Sequence, residues 1–401
     1  MSKERKKTFE DKIWDYVNNH THLICLILIA LFSLIVRYFM IKYKSGDYGM
    51  FLKPWFDELK LSGGLMGLSR NIGNYTPVYM TILAILTYLP IDSLVSIKIV
   101  SLIFDYVGAI FIYKIILELL KNKESKETLA LVGYGIYLFL PTILLNGAYW
   151  GQCDSIYTAF VLISVYYLIR KNFLKGIIFW SIAFAFKFQA IFIFPLYVLM
   201  YFADRKIKFK YFLMIPLTVF VFSIPKIIYS HNLLEGFNVY FNQSNTYSEY
   251  LTLNFPNVYS LLFTNPNNYN LIETPFKELG AIMIIFTLII FMVIGLLVIK
   301  RKVKFDAKAI IEFGLWSILI CLCFLPQMHE RYLFMGDVIG ILYFVLNKRK
   351  YYIPMVIELV SLSGYIKFLF SNSLNNIFIY SILFMVILII YSKDMYVKYF
   401  K

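Results

Sequence analysis

Charge is scarce in this chain, and acid is scarcer than base. Charged residues fill 16% of the 401 positions, against roughly 25% in soluble domains. Twenty-four acidic residues face 39 basic ones, a formal net charge of +15. There are four cysteines (Cys25, Cys153, Cys321 and Cys323), three of them in apolar runs, and no CxxC spacing. Neither a zinc site nor a disulfide framework follows, and no metal or cofactor is expected. The apolar runs do not alternate with period two, which excludes the strands of a membrane barrel. Repeat arrays and low-complexity tails are missing. So is any polar stretch long enough for an independent soluble domain.

What is present is grease. The chain is 60% hydrophobic and 19% aromatic, with mean hydropathy +0.69. No water-soluble fold of this length could hide that much apolar surface. Continuous apolar runs such as 284–299 recur at the roughly 20-residue length that carries a helix across hydrocarbon. The reading is an all-α polytopic transmembrane helical bundle of about 11–13 spans, one domain over 1–401. The excess of base does not indicate nucleic acid, whose binding surface is a patch on a soluble fold. Here Lys and Arg sit in short clusters between apolar runs: residues 1–7, 121–126, 170–175, 204–210, 300–304, 347–350 and the C-terminal end. The positive-inside rule puts such loops in the cytoplasm. The basic N-terminus (1–20) precedes the run 21–41 without a cleavage pattern, so an uncleaved first helix with a cytoplasmic N-terminus is expected.

The polar tips of the intervening hairpins then fall on the outer face. They are the first outer loop 42–76 with its amphipathic juxtamembrane helix 48–60, the tip 146–155, residues 187–189, the long loop 230–276, and the tips 326–332 and 371–376. Parity closes only if 77–90 is a short interfacial or re-entrant helix rather than a full span.

Several residues at these tips could carry chemistry. Asp47 lies beside Tyr48, Phe51, Trp55 and Phe56. A carboxylate on a partly dry surface suits a general base, but Asp is also a good N-cap for the helix that follows. Asp154, after Trp150 and Gln152, has the same two readings: ligand contact or cap. Lys187, next to Gln189, either meets an anionic headgroup or snorkels to the interface. His329, Glu330 and Arg331 interrupt a long apolar run, and polar groups at membrane depth are functional by default. The planar fork of Arg331 suits phosphate oxygens, and Glu330 can orient either neighbour. Lys98 and Asp105, seven residues apart on one helix face, read as a packing pair, with Asp105 neutralised by a basic neighbour.

Four segments in order (residues 45–55, 149–155, 186–197 and 325–332) resemble bacterial GT-C-fold membrane glycosyltransferases. The similarity is greatest to the group related to the second mannosyltransferase of glycolipid-anchor synthesis; the glucosyltransferases of lipid-linked oligosaccharide assembly are more distant. The resemblance spans roughly 30–335. It implies a GT-C-like fold and a metal-independent, inverting transfer of a hexose from a polyprenyl-phosphate donor to an outer-surface glycan, teichoic acid or glycolipid, in a bacterial cytoplasmic membrane. It implies Asp47 as base and Lys187, His329 and Arg331 on the donor phosphate. Tyr48, Trp55, Trp150, Gln152, Asp154, Gln189 and Glu330 would line the cavity. Position 153 departs from the pattern, carrying Cys where a small aliphatic residue is expected. The rival readings are a flippase of lipid-linked glycans, which calls for internal repeats or matched broken helices that the sequence does not display, and an O-antigen-type polymerase or ligase, matched by the long loop 230–276.

Overall fold

The structure is a computed structural model that describes residues 7–242, 250–263, 275–371 and 376–401. The start of the basic N-terminus, residues 243–249 and 264–274 of the long loop, and residues 372–375 of the last tip lie outside the described residues.

Helices account for nearly all of its regular secondary structure. The first half runs α1 (Phe9–Met40), α2 (Lys53–Leu61), α3 (Pro77–Leu86), α4 (Ser93–Leu119), α5 (Lys126–Phe139), α6 (Pro141–Trp150), α7 (Asp154–Ile169), α8 (Phe173–Phe186), α9 (Phe188–Ala203) and α10 (Phe209–Ser230). Then come α11 (Glu235–Asn242), strand β1 (Thr252–Leu253), α12 (Val258–Leu262), α13 (Pro275–Lys300) and α14 (Ala307–Phe324). Strand β2 (Met328–His329), α15 (Phe334–Leu346), α16 (Tyr352–Leu369) and α17 (Ile377–Tyr399) close the chain. Hydrocarbon offers the backbone no partners, so apolar segments satisfy their own amides as helices.

Seven of these helices are long and apolar enough to cross a membrane, or eight if the bent pair α5–α6 counts as one span. The expected 11–13 is reached only by adding the shorter apolar helices α7, α8, α9 and α15, of 10–17 residues, and these are buried inside the bundle. Helix α3 has ten residues, about 15 Å, half of a hydrocarbon core of about 30 Å. It is too short to span hydrocarbon by itself and packs against α2 and α10.

The spans differ sharply in how far they are buried. The spanning window of α14 is 83% buried, whereas those of α1, α10 and α13 are 11% buried and present bare Leu, Ile and Phe. Helix α14 is the core post; the other three face lipid.

The chain breaks between α5 and α6, with a 45° bend at Pro141. Proline brings no N–H and cannot continue the ladder. The interrupted pair is Leu138 O and Thr142 N, and both ends find side chains. Arg37 Nη1 of α1 donates to Leu138 O at 2.9 Å, and Thr142 N donates to Glu358 Oε1 of α16 at 3.1 Å. Arg37 also binds Asp105 Oδ2 through Nε and Nη2, each at 3.1 Å, with both side chains buried. The basic neighbour of Asp105 is therefore Arg37 and not Lys98. The Lys98 ammonium instead donates to the carbonyls of Ile41 (3.1 Å), Tyr43 (2.6 Å) and Tyr149 (2.7 Å).

Candidate functional site

The end of the bundle where α1 gives way to α2, here the site face, gathers the polar tips. Ser45 Oγ donates to Trp150 O at 2.7 Å and accepts from Tyr48 N at 3.1 Å, and so pins the start of the first loop against the end of α6. Tyr48–Leu52 forms a wide helical turn leading into α2, with Tyr48, Leu52, Phe56 and Leu59 buried on one face. The amphipathic helix is as expected, but Asp47 does not cap it.

The Asp47 carboxylate turns to the tip 149–155 instead. Trp150 Nε1 donates to Oδ2 at 3.0 Å and Gln152 Nε2 donates to the same oxygen at 2.8 Å. Among the described residues no donor reaches Oδ1. Burial pushes the Asp47 carboxyl above its ordinary range, and Arg331 pulls it back in part. The tip is held from below by α4: Lys98 grips Tyr149 O, and Ser101 Oγ donates to Gln152 O at 2.7 Å. Gly151 makes the turn, with φ of 89° in the region where a Cβ is strained.

Behind Asp47 lies a buried charge cluster centred on Asp154, which also is not a cap. Its Oδ1 meets Lys187 Nζ at 2.5 Å. Its Oδ2 accepts from Asn146 Nδ2 at 2.8 Å and lies 3.7 Å from Arg331 Nε. Asn146 also donates to the Tyr365 hydroxyl at 2.8 Å. Arg331 binds Glu330 through Nη1 at 2.8 Å, and its guanidinium carbon stands 5.2 Å from the Trp150 ring centre. His329 Nδ1 is 3.7 Å from Glu330. Burial pushes the His329 imidazole down; Glu330, which burial alone would raise, is held below its ordinary range by His329 and Arg331.

The tip 328–331 owes its position to two backbone contacts. Strand β1, from the long loop, pairs in parallel with β2, Thr252 opposite Met328 and Leu253 opposite His329. On the other side α16 comes so close at Gly364 that a Cβ there would sit 2.6 Å from Glu330 O.

Asp47, Trp150, Gln152, Asp154, Lys187, Glu330 and Arg331 thus form one connected network. Lys187 is buried and taken up by Asp154, not placed at an open anion site. Gln189 is buried beside Tyr332. Tyr48 is turned away, its hydroxyl 2.8 Å from Ser93 Oγ. Trp55 stands at the rim, edge-on to Tyr75 at 5.5 Å between centroids. Sequence reasoning missed Tyr75, Asn146 and Tyr365. Asn146 carried a signal, since it opens the polar tip; Tyr365 carried none, lying in an unremarkable apolar helix.

No protein-family model matches the chain, and no curated protein sequence matches it.

Proposed function

We propose that the chain is a glycosyltransferase of GT-C type that moves a mannose- or glucose-like hexose from a polyprenyl-phosphate donor to a glycan, teichoic acid or glycolipid acceptor. On this reading it lies in a bacterial cytoplasmic membrane, with the N-terminus cytoplasmic and the site face outside. One observation carries the reading: among the described residues Asp47 is fixed through Oδ2 alone and no donor takes Oδ1, at a partly buried position that feels the Arg331 charge. A carboxylate so held can take a proton from an acceptor hydroxyl at Oδ1. The acceptor oxygen then attacks the sugar C1, and the C1–O bond to phosphate breaks with its electron pair leaving on the lipid phosphate. Arg331, only partly covered by Glu330, offers that phosphate its remaining N–H groups, with His329 beside it. Lys187 acts one step back, balancing Asp154 so that Arg331 is not fully neutralised.

Purified protein in nanodiscs, given a panel of polyprenyl-phosphate sugars, should release free polyprenyl phosphate. Asp47→Asn should abolish release without changing the unfolding temperature, and retained turnover removes the base assignment. Because Asp47 works deprotonated and its pKa is raised, activity should fall with decreasing pH through a midpoint above the 3.8 of an ordinary aspartate.

A second reading draws on β1. Its pairing with β2 brings the long loop onto the site, as an O-antigen-type polymerase or ligase would require. Release of a pyrophosphate-linked lipid in the same assay favours that reading. The flippase reading has less support: among the described residues the α5–α6 break has no matched second, and its freed backbone groups are already bound.

A further inference from the structure

We propose that Tyr75 is a positioning residue for Asp47, acting through the side-chain amide of Gln152. The inference rests on the reading of Asp47 as general base. An amide side chain has a donor end and an acceptor end, and a network decides which way it faces. Asp47 needs the donor end. The Tyr75 hydroxyl donates to Gln152 Oε1 at 3.0 Å, which turns the carbonyl end of the amide toward Tyr75 and the Nε2 end onto Asp47 Oδ2 at 2.8 Å. Without that hydroxyl the amide can rotate, and its oxygen would then face the carboxylate and repel it. Among the described residues no other donor reaches Gln152 Oε1.

Tyr75 is itself held from both sides. Its neighbour Thr76 donates through Oγ1 to Phe186 O at 2.8 Å, fastening the segment to the end of α8, one residue from Lys187. The Tyr75 ring packs against Trp55 at 5.5 Å and Tyr79 at 4.9 Å. Lys187 Nζ stands 5.8 Å from the ring centre, a cation over a π face. Gly73, with φ of 70°, brings the chain so near Trp55 that a Cβ would lie 2.9 Å from its ring. The hydroxyl therefore presents one direction to Gln152.

The test uses full-length protein in nanodiscs: wild type, Tyr75→Phe, Gln152→Ala and the double variant. Two quantities are read: the pH midpoint of Asp47 labelling by a water-soluble carbodiimide, followed by mass spectrometry, and the pH–rate profile of sugar transfer. Carbodiimides capture the protonated carboxyl, so weaker support of the carboxylate moves the midpoint up. Tyr75→Phe keeps the ring packing. It should raise the midpoint by about half a pH unit and lower kcat roughly tenfold with KM unchanged. Gln152→Ala should raise the midpoint at least as much, and the double variant should match Gln152→Ala. An unmoved midpoint in Tyr75→Phe, or shifts that add in the double variant, overturns the proposal. A wild type that transfers no sugar removes the general-base reading instead, and the labelling midpoint still decides whether Tyr75 orients Asp47.

Discussion

Asp47 and Asp154 each begin a helix at the end of a loop, where aspartate is most often a cap. Neither caps. Asp47 accepts from Trp150 and Gln152, and Asp154 is shared by Lys187, Asn146 and the flank of Arg331. Local sequence could not separate the two roles, because a cap and an ion-pair partner look alike until the distant partner is placed. Lys187 and Asp154 make the consequence measurable. Removing one member of a buried ion pair strands the other and costs about 3–5 kcal/mol, whereas replacing both with apolar groups costs much less. Lys187→Met and Asp154→Leu should each lower the unfolding temperature markedly. The double variant should be more stable than the sum of the two losses implies, measured by thermal unfolding in detergent. Strictly additive losses would mean the two charges are not coupled.

Elements set the positions of these residues by contacts that no single segment encodes. The amphipathic helix over 48–60 was legible, since its buried residues recur on one face, but the wide turn at its start was not. The shortness of α3 was legible from loop-charge parity. The α5–α6 break was not read, although Pro141 marks it in the sequence. A proline inside an apolar run is tolerated only where something else satisfies the freed groups, and here Arg37 and Glu358 come from helices remote in sequence. The approach of α16 to the tip at Gly364 was equally invisible. Gly364→Ala would press a methyl to 2.6 Å from Glu330 O, so the tip must move. We expect about 1–3 kcal/mol of destabilisation and, on the proposed function, a loss of sugar transfer. Gly135→Ala, inside α5 and with nothing nearer than 3.8 Å to its added Cβ, is the control and should be neutral or stabilising by up to about 1 kcal/mol. Equal unfolding temperatures for the two variants would contradict the close contact.

At the scale of the whole molecule, the bundle places a greasy rim of α1, α10 and α13 around a buried post, α14. One end holds the Asp47–Asp154 network. The other holds Glu312, near the start of α14, bound by Asn347, Lys398 and Tyr399. If basic loops lie inside, the site face lies outside. In a cysteine-free background expressed in intact bacteria, Lys44→Cys should react with a membrane-impermeant maleimide. Lys123→Cys should react only after lysis; the opposite pattern reverses the orientation.

Composition and run length by themselves determined that this is a multi-pass helical membrane protein, because hydrocarbon admits long apolar segments and requires them to satisfy their own backbone. Those features act locally, within about twenty residues. Which charge meets which was decided by tertiary structure alone. Asp47 reaches partners 103 and 105 residues away, and Asn146 reaches Tyr365 across 219. Such pairings depend on how each helix is rotated and tilted against its neighbours, and that is fixed by packing over the whole bundle.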